Sequence, residues 1–242
     1  MLVSERELDG PSGPAAVRDV IERAGPVAVH LRARLPTRRL FEIAIELAPR
    51  AVRTGGWLVV NGRPDVALAA GAHAVQLGRT ALGVKETRRL VEACAGRLAI
   101  GASVHDAEGA LRAVRDGADY LVLGTIYATP SHPGRAGRGP AAVTAAGEAV
   151  AAAARGRKTF PRERPTRSPG GGPSSGSAPP VLAIGGLRAD RIGEVADAGA
   201  YGVVVGRAVW SAADPAEAAR ELRKRLHRRF DGDTDSGQRT GA

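Results

Sequence analysis

Gly117-Ala118-Asp119-Tyr120-Leu121-Val122-Leu123-Gly124 is the stretch on which the fold turns. A glycine stands where a helix would stop in the left-handed conformation. A short apolar run follows, as in a parallel strand covered on both faces. The same arrangement recurs three times: Gly25-Pro26 before Val27–Leu31, Gly71-Ala72-His73 before Ala74–Gly78, and Gly199-Ala200-Tyr201 before Gly202–Gly206. Gly25 to Gly71 spans 46 residues and Gly71 to Gly117 another 46, whereas Gly117 to Gly199 spans 82.

Between these anchors lie further short strands at Trp57–Val60, Leu98–Gly101 and Val181–Ile184, with Leu2–Ser4 as a first one. Helical patterns separate them over Arg39–Ala51, Glu86–Ala95, Ala107–Arg115, Ala141–Ala154, Ala189–Ala198 and Ala216–Arg225. Eight strand–helix units with a two-unit period predict an α/β fold, a single (β/α)8 TIM barrel, because right-handed crossovers of this size close on themselves. The alternative is an open doubly wound sheet. The barrel is expected to occupy residues 1–230. The 36-residue excess falls between strands six and seven, where 155–180 reads as a low-complexity, disordered insertion. Residues 231–242 read as a disordered tail. Strand one has barely four residues before Glu5, which predicts a natural start upstream of Met1.

The 242 residues are 43% hydrophobic, enough for a sizeable core, and only 3% aromatic. One cysteine, Cys94, excludes an internal disulfide framework and a cysteine-rich metal site; on the fourth helix it reads as a small core residue. No apolar run reaches the ~18 residues of a membrane span, and no signal pattern opens the chain, so a cytoplasmic protein is expected. The net charge of +10 raises nucleic acid as a partner. Against it, all but Lys85, Lys158 and Lys224 of the 35 basic residues are Arg, a net +5 sits within Arg155–Arg167, and base-stacking aromatics are scarce. The outer helices show no heptad seam that would name an oligomer.

In a barrel the chemistry sits at the carboxyl ends of the strands. That rule selects His30, Arg32 and Arg34 on one face of strand two, Asn61 and Arg63 after strand three, and Gln76 and Arg79 at the end of strand four. It adds Ser103 and His105 on strand five, and Thr125, Tyr127, Thr129, Ser131 and His132 after strand six. Gly185-Gly186 and Gly206-Arg207 close strands seven and eight. Two glycine turns, each opening a helix, would present backbone N–H groups to a phosphate. Carboxylates are scarce in this mouth, which argues against a two-carboxylate hydrolase and a hard-cation site. No metal or other cofactor is expected. The pattern fits a phosphorylated small molecule, with a histidine as proton carrier.

These residues resemble the thiamin phosphate synthase superfamily, which includes the thiazole tautomerases. The similarity rests on His30-Leu31-Arg32-Ala33-Arg34, Gly101-Ala102-Ser103-Val104-His105, Gly117–Tyr120, Tyr127-Ala128-Thr129-Pro130-Ser131-His132 and Ala183–Gly186. It implies a TIM barrel acting on a thiazole phosphate. The synthases carry Asp residues where this chain has Gly62 and Ala81, and those hold the Mg²⁺ that supports departing pyrophosphate. The family's lysines appear here as Arg34 and His132. The resemblance therefore leans to the tautomerase branch, an isomerase that moves a proton without metal. That branch has a histidine where this chain has Thr125, which leaves His30 or His132 for the shuttle. Two alternatives stand beside it: a Mg²⁺-using synthase, a transferase joining hydroxymethylpyrimidine pyrophosphate to thiazole phosphate, and a non-catalytic phosphate-ligand binder.

Overall fold

The computed structural model describes residues 1–4, 8, 13–129, 134, 136–155 and 178–231. Eight strands run in chain order: β1 (Leu2–Ser4), β2 (Ala28–Leu31), β3 (Trp57–Asn61), β4 (Ala74–Leu77), β5 (Ala99–Val104), β6 (Tyr120–Gly124), β7 (Val181–Ile184) and β8 (Gly202–Val204). Each pairs in parallel with the next. The Val205 N–H donates to the Met1 carbonyl at 3.0 Å, which brings the two ends of the sheet together. The fold is the α/β barrel that the spacing predicts.

The helices are α1 (Gly13–Arg23), α2 (Thr37–Arg53), α3 (Pro64–Ala69), α4 (Val84–Ala93), α5 (Ala107–Asp116), α6 (Ala141–Arg155), α7 (Ile192–Asp197), α8 (Arg207–Trp210) and α9 (Pro215–Asp231). The local reasons are visible in α5. Asp106 accepts a hydrogen bond from the Gly109 N–H at 2.8 Å and starts the helix. Gly117, at φ +100°, ends it and turns the chain into β6. The other repeat glycines, Gly25, Gly71 and Gly199, also have positive φ. In α2, Leu40, Ile43, Ala44, Leu47, Ala48 and Ala51 form one buried stripe against the sheet. Each buried leucine there contributes about 1.5–3 kcal/mol.

Apolar side chains fill two shells. Most lie between sheet and helices. A smaller set, Val59, Ala74, Ala99, Tyr120, Val122 and Val204, packs together with Trp57, Leu182 and Ile184 against it. By strand alternation these residues face the barrel axis, so the barrel is plugged below its mouth.

Two expectations are corrected. Ala189–Ala198 is not one helix: a 3₁₀ turn (Ala189–Arg191) precedes α7. Cys94 is exposed rather than in the core, because α4 buries Thr87 and Val91 and has ended where Cys94 caps it. The expected insertion falls almost wholly on residues 156–177, and the tail on 232–242; both lie outside the described residues, as does the basic cluster after Arg155.

Candidate active site

Strand alternation points His30, Asn61, Gln76, Gly101 and Ser103 toward the barrel axis, one layer above the apolar plug. They meet in pairs. His30 Nε2 lies 3.1 Å from Asn61 Oδ1. An amide oxygen can only accept, so Nε2 carries the proton and donates. His30 is 4% exposed. Burial lowers its pKa to about 3, with the nearby positive charge of Arg32 acting in the same direction and the bond to Asn61 opposing. The ring is therefore neutral at every physiological pH.

On the next strands, Gln76 Nε2 donates to Ser103 Oγ at 3.0 Å. Gln76 is buried while Ser103 is exposed to the mouth. With its lone pair engaged from below, the Ser103 hydroxyl is left to donate upward. Gly101 lies between this pair and Tyr120. A Cβ on Gly101 would stand 2.4 Å from Gln76 Oε1 and 2.1 Å from the Tyr120 ring, so only glycine fits. Gln76 Oε1 and the Tyr120 hydroxyl are buried without a hydrogen-bond partner among the described residues. Burial and the adjacent Asp119 hold the Tyr120 hydroxyl in its protonated form, pushing its pKa up.

His105 ends the β5 side of the mouth. Its Nδ1 lies 2.6 Å from the Gly124 carbonyl oxygen. The carbonyl accepts, so Nδ1 carries the proton and Nε2 keeps its lone pair. The ring is exposed.

The turn after β7 is pressed against the chain leaving β6. Gly185 (φ +105°) would place a Cβ 2.6 Å from Thr125 Cγ2, and Gly186 (φ +62°) one 2.7 Å from Tyr127 Cβ. The Ile126 N–H donates to the Ile184 carbonyl at 2.9 Å, and the Tyr127 N–H to that of Gly185 at 3.1 Å. Side chains reinforce this seam. The Tyr127 hydroxyl donates to Glu194 Oε2 at 2.6 Å, and the Arg191 guanidinium lies 4.4 Å above the Tyr127 ring. Partial burial and the Glu194 carboxylate push the Tyr127 pKa up to about 12. Arg191 also reaches the Gly186 carbonyl at 3.3 Å. Gly206 precedes α8, with Arg207 exposed beside it. Thr129 is half-buried on the β6 loop; Ser131 and His132 lie outside the described residues.

The arginines are unequal. Arg32 is half-buried, and Arg34 and Arg79 are exposed. Arg63 binds both carboxylate oxygens of Asp65, at 2.9 and 2.6 Å, and Thr37 Oγ1 at 2.7 Å. That pairing raises the Arg63 pKa and lowers that of Asp65. Beside it, a Cβ on Gly62 (φ +66°) would meet only Ala81 Cβ, at 3.8 Å. The two positions that the resemblance marks for Mg²⁺, 62 and 81, thus lie side by side here, and neither offers a side-chain oxygen. Among the described residues no group of three or more His, Cys, Asp or Glu could hold a metal. This donor set does not fit Mg²⁺, which is usually held through one or two carboxylates.

Placed against known proteins, residues 1–209 match the family described as thiamine monophosphate synthase. The chain belongs to that family. It is 37% identical to a thiamine-phosphate synthase of Thermus thermophilus over 88% of this chain and 90% of that one. With the thiamine-phosphate synthase of Chloroflexus aurantiacus it shares 34% identity over 88% and 85%. Among solved structures, the thiamine phosphate pyrophosphorylase from Pyrococcus furiosus superposes with a TM-score of 0.71 at 28% identity, covering 95% of both chains. A 3-hexulose-6-phosphate synthase, at 19% identity and a TM-score of 0.55, shares the fold alone. Family membership places the chain in thiamin biosynthesis. No helix among the described residues is long and apolar enough to cross a membrane.

Of the sequence-selected residues, the structure joins His30 to Asn61, Gln76 to Ser103 and His105 to the strand-six glycine, and stacks Gly185 and Gly186 on Thr125 and Tyr127. Arg191 and Glu194 were not among the selected residues. The Tyr127–Glu194 bond joins residues 67 apart, and no local signal announces it.

Proposed function

We propose that this protein binds a thiazole phosphate in the barrel mouth and performs the reaction for which its relatives are named, the synthase reaction. The observation that carries this reading is 37% identity to a thiamine-phosphate synthase across nearly the whole of both chains. The tautomerase preference drawn from the sequence has less support from these relatives than the synthase alternative. In the synthase reaction the bond from the pyrimidine methylene carbon to diphosphate oxygen breaks, and diphosphate leaves with the electron pair. The thiazole nitrogen then forms a bond to the cationic carbon, giving thiamin phosphate.

The residues have separable parts to play. Gly185-Gly186 and Gly206-Arg207 offer N–H groups and a guanidinium to the thiazole's phosphate. Arg32, Arg34 and Arg79 set a positive field for the departing diphosphate. Asn61, whose carbonyl is engaged by His30, and Ser103, oriented by Gln76, are left as donors to the ring ligands. No step is assigned to Mg²⁺, because Gly62 and Ala81 offer it no oxygen.

That same corner favours the second reading, a metal-independent thiazole tautomerase. An arginine-lined mouth without metal carboxylates suits a carboxylated thiazole phosphate better than a metal diphosphate. Two assays on one preparation separate the readings. Thiamin phosphate formed from hydroxymethylpyrimidine pyrophosphate and thiazole phosphate is the expected result. Aromatisation of the carboxylated thiazole tautomer in EDTA, with no thiamin phosphate formed, replaces the synthase with the tautomerase. Phosphate-ligand binding with neither turnover leaves a non-catalytic binder.

A further inference from the structure

We propose that His105 is the proton-transfer group of this mouth, and that His30 is a buried anchor for Asn61. The inference rests on the tautomerase reading and names its base. Three observations carry it. First, His105 is exposed at the carboxyl end of β5, beside Ser103, whereas His30 is sealed below. Second, the tautomer of each ring is fixed by an oxygen that can only accept. Asn61 Oδ1 takes the Nε2–H of His30, and the Gly124 carbonyl takes the Nδ1–H of His105. His105 Nε2 makes no hydrogen bond among the described residues and keeps a lone pair for an incoming proton. The carbonyl on Nδ1–H also fixes the plane of the ring, as an orienting acceptor does in other histidine bases. Third, the carbonyl that fixes His105 belongs to Gly124 at the end of β6, so the ring is held between two strand ends of the mouth.

The step balances without a co-reactant. Nε2 removes the proton from the ring carbon that bears the carboxylate, forming an imidazolium. The electron pair released closes the aromatic ring and passes to the exocyclic double bond. The imidazolium then gives its proton to the exocyclic carbon, and neutral His105 is regenerated. One base on one side of the ring suffices for both transfers.

The experiment has two arms. In the first, imidazole nitrogens of the intact protein are followed by ¹⁵N NMR while 4-methyl-5-(2-phosphoethyl)thiazole is added, with ³¹P shifts reporting its binding. A shift of His105 Nε2 on binding, with the His30 nitrogens protonated only at Nε2, is expected. An unmoved His105 while the phosphate binds overturns the proposal. In the second arm, tautomer aromatisation is measured for wild type and His105→Ala. A loss in kcat of at least about a hundredfold is expected, with KM within about threefold and at least about tenfold rescue by added imidazole, at an unchanged melting temperature. Turnover close to that of wild type, or no imidazole rescue, overturns it. Absence of aromatisation by wild type, with the His105 shift present, removes the tautomerase reading and the proton-transfer role with it. The ring contact then stands alone.

Discussion

The mouth has two sides, built to different densities. On the β6–β7 side, backbone presses on backbone: Gly185 and Gly186 stack on Thr125 and Tyr127, and Glu194 and Arg191 lock the Tyr127 ring from outside. On the β3–β4 side, Gly62 faces Ala81 across a gap that takes an added methyl at an ordinary contact distance of 3.8 Å. A turn in contact with its neighbour holds a ligand by geometry. A corner with room to spare orients one more weakly and is more easily retuned. The β7 turn, proposed for phosphate, is therefore the rigid end of the mouth, and the corner at Gly62 and Ala81 is its adaptable one.

The largest effect should come from the dense side. Gly185→Ala meets both a left-handed φ and a contact 2.6 Å from Thr125 Cγ2. Strain and overpacking together should cost about 3 kcal/mol. Urea unfolding should show that loss, and phosphate-ligand titration at least about a tenfold weaker affinity. Wild-type stability in this variant would mean the seam is loose.

The second test concerns the floor that both sides share. The folded protein keeps His30 neutral down to about pH 3, while the unfolded chain protonates it near 6.5. As pH falls below 6.5, the unfolded state binds a proton that the folded state refuses, so stability drops by about 1.4 kcal/mol per pH unit. Between about pH 7 and pH 5 wild type should therefore lose about 2 kcal/mol more than His30→Gln, which has no such proton. Equal losses in the two proteins would place a charged or solvated ring at position 30.

The smallest change in stability is expected on the open side. Gly62→Asp with Ala81→Asp introduces two carboxylates where an added Cβ has ordinary contact distance. The positive φ at Gly62 and charge repulsion should cost about 1–2 kcal/mol. Electron paramagnetic resonance should then find Mn²⁺ bound by the double variant and none held stoichiometrically by wild type. Equal Mn²⁺ binding by both would show that the corner recruits ligands from elsewhere.

The barrel was legible because glycine stops and apolar runs are local signals repeated at a fixed interval. Period-two alternation also found the mouth, since His30, Arg32, Asn61 and Ser103 all follow from it. What it lacks is depth. His30 and Arg32 share a face, yet one is buried beneath the mouth and the other half-exposed within it; distance along the barrel axis depends on strand tilt and on what the opposite strands contribute. Partners across strands were equally hidden. The bond of His105 to Gly124 spans 19 residues and ends on a backbone oxygen, which no side-chain pattern can mark. Cys94 misled for a related reason: helical periodicity places it near the buried stripe, but α4 stops one residue too early for that stripe to continue.

Tyr120 lying over Gly101, with the apolar plug beneath, makes the mouth a blind well rather than a channel. A blind well has one doorway. Whatever the chain makes must leave by the route its substrate took, so spent product and fresh substrate queue for the same opening. Product should compete with substrate for the well, and the rate at which the well empties sets a ceiling on turnover that no change to the bond-making residues can lift.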